Sequence, residues 1–339
     1  MANKHTHYDS KEMKVLLASA IPDAIMASEG TRFDSAEDAS VFFARELDHV
    51  KAQSYDVQYP QFTALDKFPI SSEADPGAET VTYYTYDKQG LAKVIDNYST
   101  DLPRADVNGK PSVAQVKSIG DSYGYSAQEM RASRLAGKSL DSRKAESARF
   151  AIDNLTNKIA WAGDEESGLM GVLSAGQNIP VFTVTGGSWK TKTADQILAD
   201  VAAMQEQVSD TTNNVERPDT LCLPADVYMH IANKRIDDTS TTVLKFILDN
   251  APYIKEIISA AELGAKNVDT NPYAATDGSG SGVAFLFTND ARKLSLENPM
   301  PFYQYPLQVR NLETVIPCEA RTAGVIVYYP MSALIAVGV

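Results

Sequence analysis

Two cysteines in 339 residues, Cys222 and Cys318, are too few and too far apart to form a disulfide framework. Each sits in an apolar run, the setting of a buried, reduced thiol. Four histidines, His5, His7, His49 and His230, are scattered singly. With only two distant cysteines they offer no zinc-ligand spacing, so no metal is expected. No run of 18 apolar residues exists, which excludes an obvious membrane-spanning helix. The opening Met1-Ala-Asn-Lys-His-Thr-His lacks the charged-then-apolar plan of a signal peptide. Positive charge is also short: 31 Lys and Arg against 44 Asp and Glu give a net charge of −13. A nucleic-acid-binding module needs a basic surface to neutralise phosphates, and this chain has none to spare.

What is present is enough apolar material, 44% of residues, for two core-forming units. Residues 10–21 and a segment opened by Ser35-Ala-Glu-Asp38 read as helices, the second with Phe43, Leu47 and Val50 on one face. They form a leader too poor in apolar residues to be a domain.

Residues 69–123 read as a long, solvated β-hairpin. Val-Thr-Tyr-Tyr-Thr-Tyr at 81–86 is rich in β-branched and aromatic residues. The expected turn is Asp87-Lys88-Gln89-Gly90, with the return strand at 91–95. A polar loop with two prolines, 101–111, then leads to a second alternating run through Val113, Gln115, Val116 and Ile119. A two-stranded ribbon is marginal in water, so this one must complete its packing elsewhere. That points to assembly rather than to chemistry.

Ser126-Ala-Gln-Glu129 starts helical character running to about Trp161, with a break expected near 137–141. Ala145, Ala148, Ile152, Leu155 and Ile159 form its apolar face. From Gly163 the chain reads as an α/β unit. Helices are expected from Thr193, after Pro224 and over 242–250, and strands over 218–223, 253–258, 283–288, 324–330 and 333–337. The order is mixed, which argues against a doubly wound parallel sheet.

No motif carries chemistry. Gly120-Asp121-Ser122-Tyr123-Gly124 resembles a hydrolase nucleophile block, but no histidine and acid stand ready to activate the serine. It reads instead as a turn before a helix. Gly278-Ser-Gly-Ser-Gly282 precedes a strand and lacks the lysine of a phosphate-binding loop, so it reads as a surface turn. Asp164-Glu165-Glu166 cannot converge on one ion and reads as a solvated loop. No cofactor is expected.

Several runs, in order, resemble the major capsid proteins of tailed double-stranded-DNA phages. They are Asp101-Leu-Pro-Arg-Ala-Asp106, Gly163-Asp-Glu-Glu-Ser-Gly-Leu-Met-Gly171, Asp219-Thr-Leu-Cys-Leu-Pro-Ala-Asp-Val-Tyr228, Thr241-Thr-Val-Leu-Lys-Phe246, Glu297-Asn-Pro-Met-Pro-Phe302 and Arg321-Thr-Ala-Gly-Val-Ile-Val-Tyr-Tyr-Pro330. The resemblance implies an α+β, Hong Kong 97-like fold. Residues 1–51 would be an N-terminal arm, 52–68 and 124–164 the P-domain with its spine helix, and 69–123 the E-loop. Residues 165–290 would be the A-domain, 291–322 the P-domain return strands and 323–339 the A-domain closing strands.

The implied function is structural, not enzymatic: hexamers and pentamers of this chain forming an icosahedral head around packaged DNA. Tyr83, Tyr84, Tyr86 and Lys88 would make intersubunit contacts at the E-loop tip, with Pro103, Arg104 and Asp106 in its loop turn. Portal, scaffolding or decoration proteins are implied partners, and DNA would be held weakly and without sequence preference. The shell would assemble in the bacterial host cytoplasm and end in the virion, with no membrane partner. The alternatives are an encapsulin-type nanocompartment shell with the same fold and, remotely, a Gly-Asp-Ser hydrolase.

Overall fold

A computed structural model describes residues 61–90, 92, 104–136, 143–237, 239–275 and 280–339. The two leader helices, the return strand expected at 91–95 and the break at 137–141 lie outside the described residues.

The chain enters through α1 (Thr63–Lys67) and β1 (Ile70–Ser71), then runs out and back as β2 (Thr80–Gln89) and β3 (Asp106–Gln115). It returns along β4 (Lys117–Ser126) and passes into α2 (Ala127–Ala136) and the long α3 (Arg143–Ala162). The α/β unit follows with β5 (Val181–Thr183), α4 (Ala194–Thr211), β6 (Thr220–Pro224), α5 (Ala225–Asn233), α6 (Val243–Asn250), β7 (Glu256–Ala260) and β8 (Val283–Phe287). The remaining strands are β9 (Leu294–Glu297), β10 (Met300–Gln304), β11 (Gln308–Arg310), β12 (Glu313–Thr322), β13 (Gly324–Val327) and β14 (Ala333–Val337).

A mixed five-stranded sheet of order β5-β14-β8-β6-β7 anchors the α/β unit. Its central strand β8, Val-Ala-Phe-Leu-Phe, is buried on both faces, and alternation divides it between two cores. Ala284 and Leu286 face α4, α5 and α6 with Ile197, Val201, Met204, Val227 and Ile247. Phe285 and Phe287 face the other way, onto Phe68, Trp161 and the sheet β1-β9-β13. There Phe68 lies 4.9 Å from the Trp161 ring and 5.6 Å from that of Phe287. These ring pairs add to the burial itself.

A third cluster joins α3 to β4, β10 and β12 through Ala148, Ile152, Ile159, Ile119, Phe302, Cys318 and Ala320. β4 and β12 pair over ten residues, from Lys117↔Thr322 to Ser126↔Glu313. The caps form as the sequence implies. Glu129 N donates to Ser126 Oγ at 3.1 Å and Ser126 N to Glu129 Oε2 at 3.0 Å, opening α2. Thr193 and Gln196 make the same reciprocal pair before α4.

Three expectations change. Leu155 is 44% exposed, and the buried stripe of α3 passes through Thr156 and Asn157 instead. Asn157 is buried because its amide is needed: Oδ1 accepts from Ala64 N at 3.0 Å and Nδ2 donates to Glu262 at 2.9 Å. Gly120–Gly124 is not a turn but the interior of β4, with Ser122 opposite Pro317. Ser122 lies within a paired strand, and His230 on α5 is the single histidine among the described residues, with no hydrogen bond between the two. The hairpin register is the third change.

Candidate assembly surface: the β2–β3 ribbon

β2 does not turn at 87–90. It continues to Gln89, and its partner is β3, ten residues long, with Thr80↔Gln115, Tyr84↔Pro111 and Gln89↔Asp106 in register. The segment read as a proline loop is therefore largely strand. Pro111 is tolerated because a two-stranded ribbon has only edge strands, whose outward amides need no partner. The ribbon ends at Gln115: Val116 and Ile119, read as part of the hairpin, are buried in the body.

Period-two alternation gives the ribbon two unlike faces. Val81, Tyr83 and Thr85 are half-buried, turned toward the body. Thr82, Tyr84, Tyr86 and Lys88 point outward, opposite Val113, Pro111, Gly109 and Val107. On this outward face Tyr84 is 61% and Tyr86 69% exposed, and Val107 and Val113 are exposed as well. The two tyrosine rings stack with centroids 6.4 Å apart and planes 22° apart. Gly109 lies beneath the Tyr86 ring, where a Cβ would come within 2.9 Å of it. Aromatic and β-branched side chains thus make a continuous apolar strip on an arm with nothing described over it.

Of the residues singled out from sequence, Tyr84, Tyr86 and Lys88 share that face, whereas Tyr83 sits on the opposite one, its ring edge-on to Tyr328 at 5.1 Å. Asp106 opens β3, its carboxylate accepting from Val107 N at 2.8 Å, and exposed Arg104 precedes it. Pro103 lies outside the described residues. The cross-strand partners Val107, Gly109, Pro111 and Val113, opposite Lys88, Tyr86, Tyr84 and Thr82, are not apparent from the sequence alone. Their alternate spacing was the available signal, masked by the glycine and proline.

No helix among the described residues is long and apolar enough to cross a membrane. Among the same residues no group of His, Cys, Asp and Glu could hold a metal ion. Cys222 and Cys318 are buried and unpaired, and burial raises both thiols above their ordinary range.

Residues 90–339 match the family model described as major capsid protein. The chain belongs to the major capsid protein family. It is a structural protein of a phage head shell. The matched span includes β3 and every later element, while α1, β1 and β2 with its tyrosines precede it. Solved structures agree on an α+β, Hong Kong 97-like fold. The capsid of Myoviridae phage XM1 matches with a TM-score of 0.74 at 17% identity, covering 89% of this chain and 100% of that one. A Mycobacterium phage Ogopogo chain matches at 0.59 and 15% identity, covering 86% and 96%. The capsid of an empty GTA particle matches at 0.60 and 8% identity, covering 90% and 99%. No curated protein sequence matches.

Proposed function

We propose that this capsid protein closes its shell by laying the outward face of the β2–β3 ribbon on an adjacent copy. The supporting observation is the strip of Tyr84, Tyr86, Val107 and Val113, exposed on an arm that cannot bury it against itself. Such a contact is heterologous, and rotations that close convert it into rings rather than filaments. Hexamers and pentamers in an icosahedral head are the assemblies the family implies. In that reading the β2–β3 ribbon acts as the E-loop, narrower than the 69–123 span because β1 and β4 pair within the body, α3 as the spine of the P-domain, and the five-stranded sheet with α4, α5 and α6 as the A-domain. Assembly takes place in the host cytoplasm, and the virion capsid is the final location. Portal, scaffolding or decoration proteins are the further partners.

Packaged duplex DNA is enclosed without being gripped. A chain of net charge −13 neutralises few phosphates and gains little counterion release. Tight duplex binding by isolated capsomers at physiological salt would refute this part. The nanocompartment alternative is weaker, because the family match is to capsid proteins.

The test of the clasp is removal of residues 86–109, with a short glycine linker joining Thr85 to Lys110 where the strands already pair. The body should fold, since its three clusters lie outside the deletion. Closed particles should be absent by sedimentation and electron microscopy. Normal particles, or an unfolded subunit, would each contradict the clasp.

A further inference from the structure

The ribbon is pinned at its base, where Arg321 Nη1 donates to Pro76 O just before β2. Beyond that point it does not lie flat on the body. A cleft of about 510 Å³ separates them, lined by Tyr83, Lys110, Gln115, Gln177, Val325 and Tyr328 among others. Across this cleft, among the described residues, Tyr83 stands edge-on to Tyr328 at 5.1 Å and 85°.

Tyr328 is held from below. Its Oη lies 3.0 Å from Ser295 Oγ and 3.3 Å from Glu297 Oε1, and Ser295 Oγ donates to the same carboxylate oxygen at 2.8 Å. Glu297 is 3% exposed and makes no ion pair among the described residues. A buried carboxylate without a cation depends on its hydroxyl donors, so these bonds resist rearrangement. Burial also raises the Tyr328 phenol above its ordinary value.

We propose that Tyr328, fixed by the buried Ser295–Glu297 pair, is a latch that sets the angle of the β2–β3 ribbon on its own subunit. The ribbon acts as a lever about its base. At roughly 3.3 Å per residue, Tyr83 stands about 10 Å along the ribbon from Thr80 and Gln89 about 30 Å. A shift of about 1 Å at the Tyr83–Tyr328 contact therefore becomes about 3 Å at the far end. Apolar packing would have given a broad, sliding seat. An edge-on ring on a hydrogen-bonded tyrosine gives a single one.

This goes beyond the clasp and has its own readout. Cysteines placed at Asn108 on β3 and Asp195 on α4, both exposed, can be spin-labelled while buried Cys222 and Cys318 stay unreacted. Labelled chain is diluted into unlabelled full chain, so each distance reports one subunit. A control pair at Asp195 and Glu146 reports the body alone. Tyr328→Phe, which keeps the ring and removes the hydroxyl, should broaden the ribbon distance distribution at least twofold and leave the control pair unchanged. Ser295→Ala should act in the same direction, and Tyr83→Ala combined with Tyr328→Phe should broaden it no further than Tyr83→Ala alone. An unchanged ribbon distance in Tyr328→Phe overturns the latch, as does broadening of both pairs or additive broadening in the double variant. Particle yield, by contrast, reports the clasp and not the latch.

Discussion

Replacing Tyr84 and Tyr86 by alanine, singly, should damage assembly far more than folding. A tyrosine carries roughly 200 Å² of surface, so exposures of 61% and 69% leave roughly 130 Å² open on each. Covering that area on a neighbour is worth about 3 kcal/mol at 25 cal/mol per Å². Ordering the side chain and desolvating its hydroxyl take back part of this, leaving about 2 kcal/mol. In a contact equilibrium that is about a thirtyfold weakening. The folding side of the comparison is small, because each ring touches little of its own subunit beyond its stacking partner and, for Tyr86, Gly109. A loss below about 0.5 kcal/mol is expected there, or a shift of about 2 °C or less in the melting midpoint. Sedimentation velocity across a concentration series should show the assembly threshold rising by tens of fold, beside an unchanged circular dichroism melt. Shells at the wild-type threshold would refute the argument. So would a variant subunit that melts many degrees early, since the tyrosines would then belong to the core.

Three further outcomes follow from particular contacts. Gly109→Ala places a Cβ within 2.9 Å of the Tyr86 ring; the exposed ring should swing away at little folding cost while assembly weakens in the direction of Tyr86→Ala, read by particle yield. Phe68→Ala removes the ring that joins Trp161, Phe285 and Phe287 and should cost about 3–5 kcal/mol in denaturant unfolding, whether or not the shell is present. Glu129 is held below a glutamate's ordinary value of 4.5 by the Ser126 amide first and by Lys144 second. Because the folded value is the lower one, its contribution is complete above about pH 4.5 and disappears as the pH falls through the folded value. A stability profile of Glu129→Gln against the parent chain should therefore diverge at neutral pH and converge in acid.

Alternation, capping residues and composition by themselves determined much of this protein. Ser126 with Glu129 and Thr193 with Gln196 fix helix starts through bonds made three residues apart, which is why both were legible. β8 and β14 were legible because they are short apolar runs bounded by polar turns. The scarcity of cysteine, histidine and positive charge argued against disulfide, zinc and nucleic-acid chemistry, and the ribbon with too little apolar surface to pack on itself pointed to assembly. What only the tertiary structure decided was pairing over long separations. Nothing local states that Thr80–Gln89 finds Asp106–Gln115, across 16 residues, rather than the nearer run at 91–95. Nothing local states that Gly120–Gly124 becomes strand interior because β12, almost two hundred residues later, lies beside it. The same holds for Asn157, a polar residue drawn into a helix's buried stripe by the amide of Ala64 and the carboxylate of Glu262. Periodicity reports which face of an element is apolar. The partner that covers that face, and the hydrogen bonds that make a buried polar group tolerable, exist only once distant segments meet.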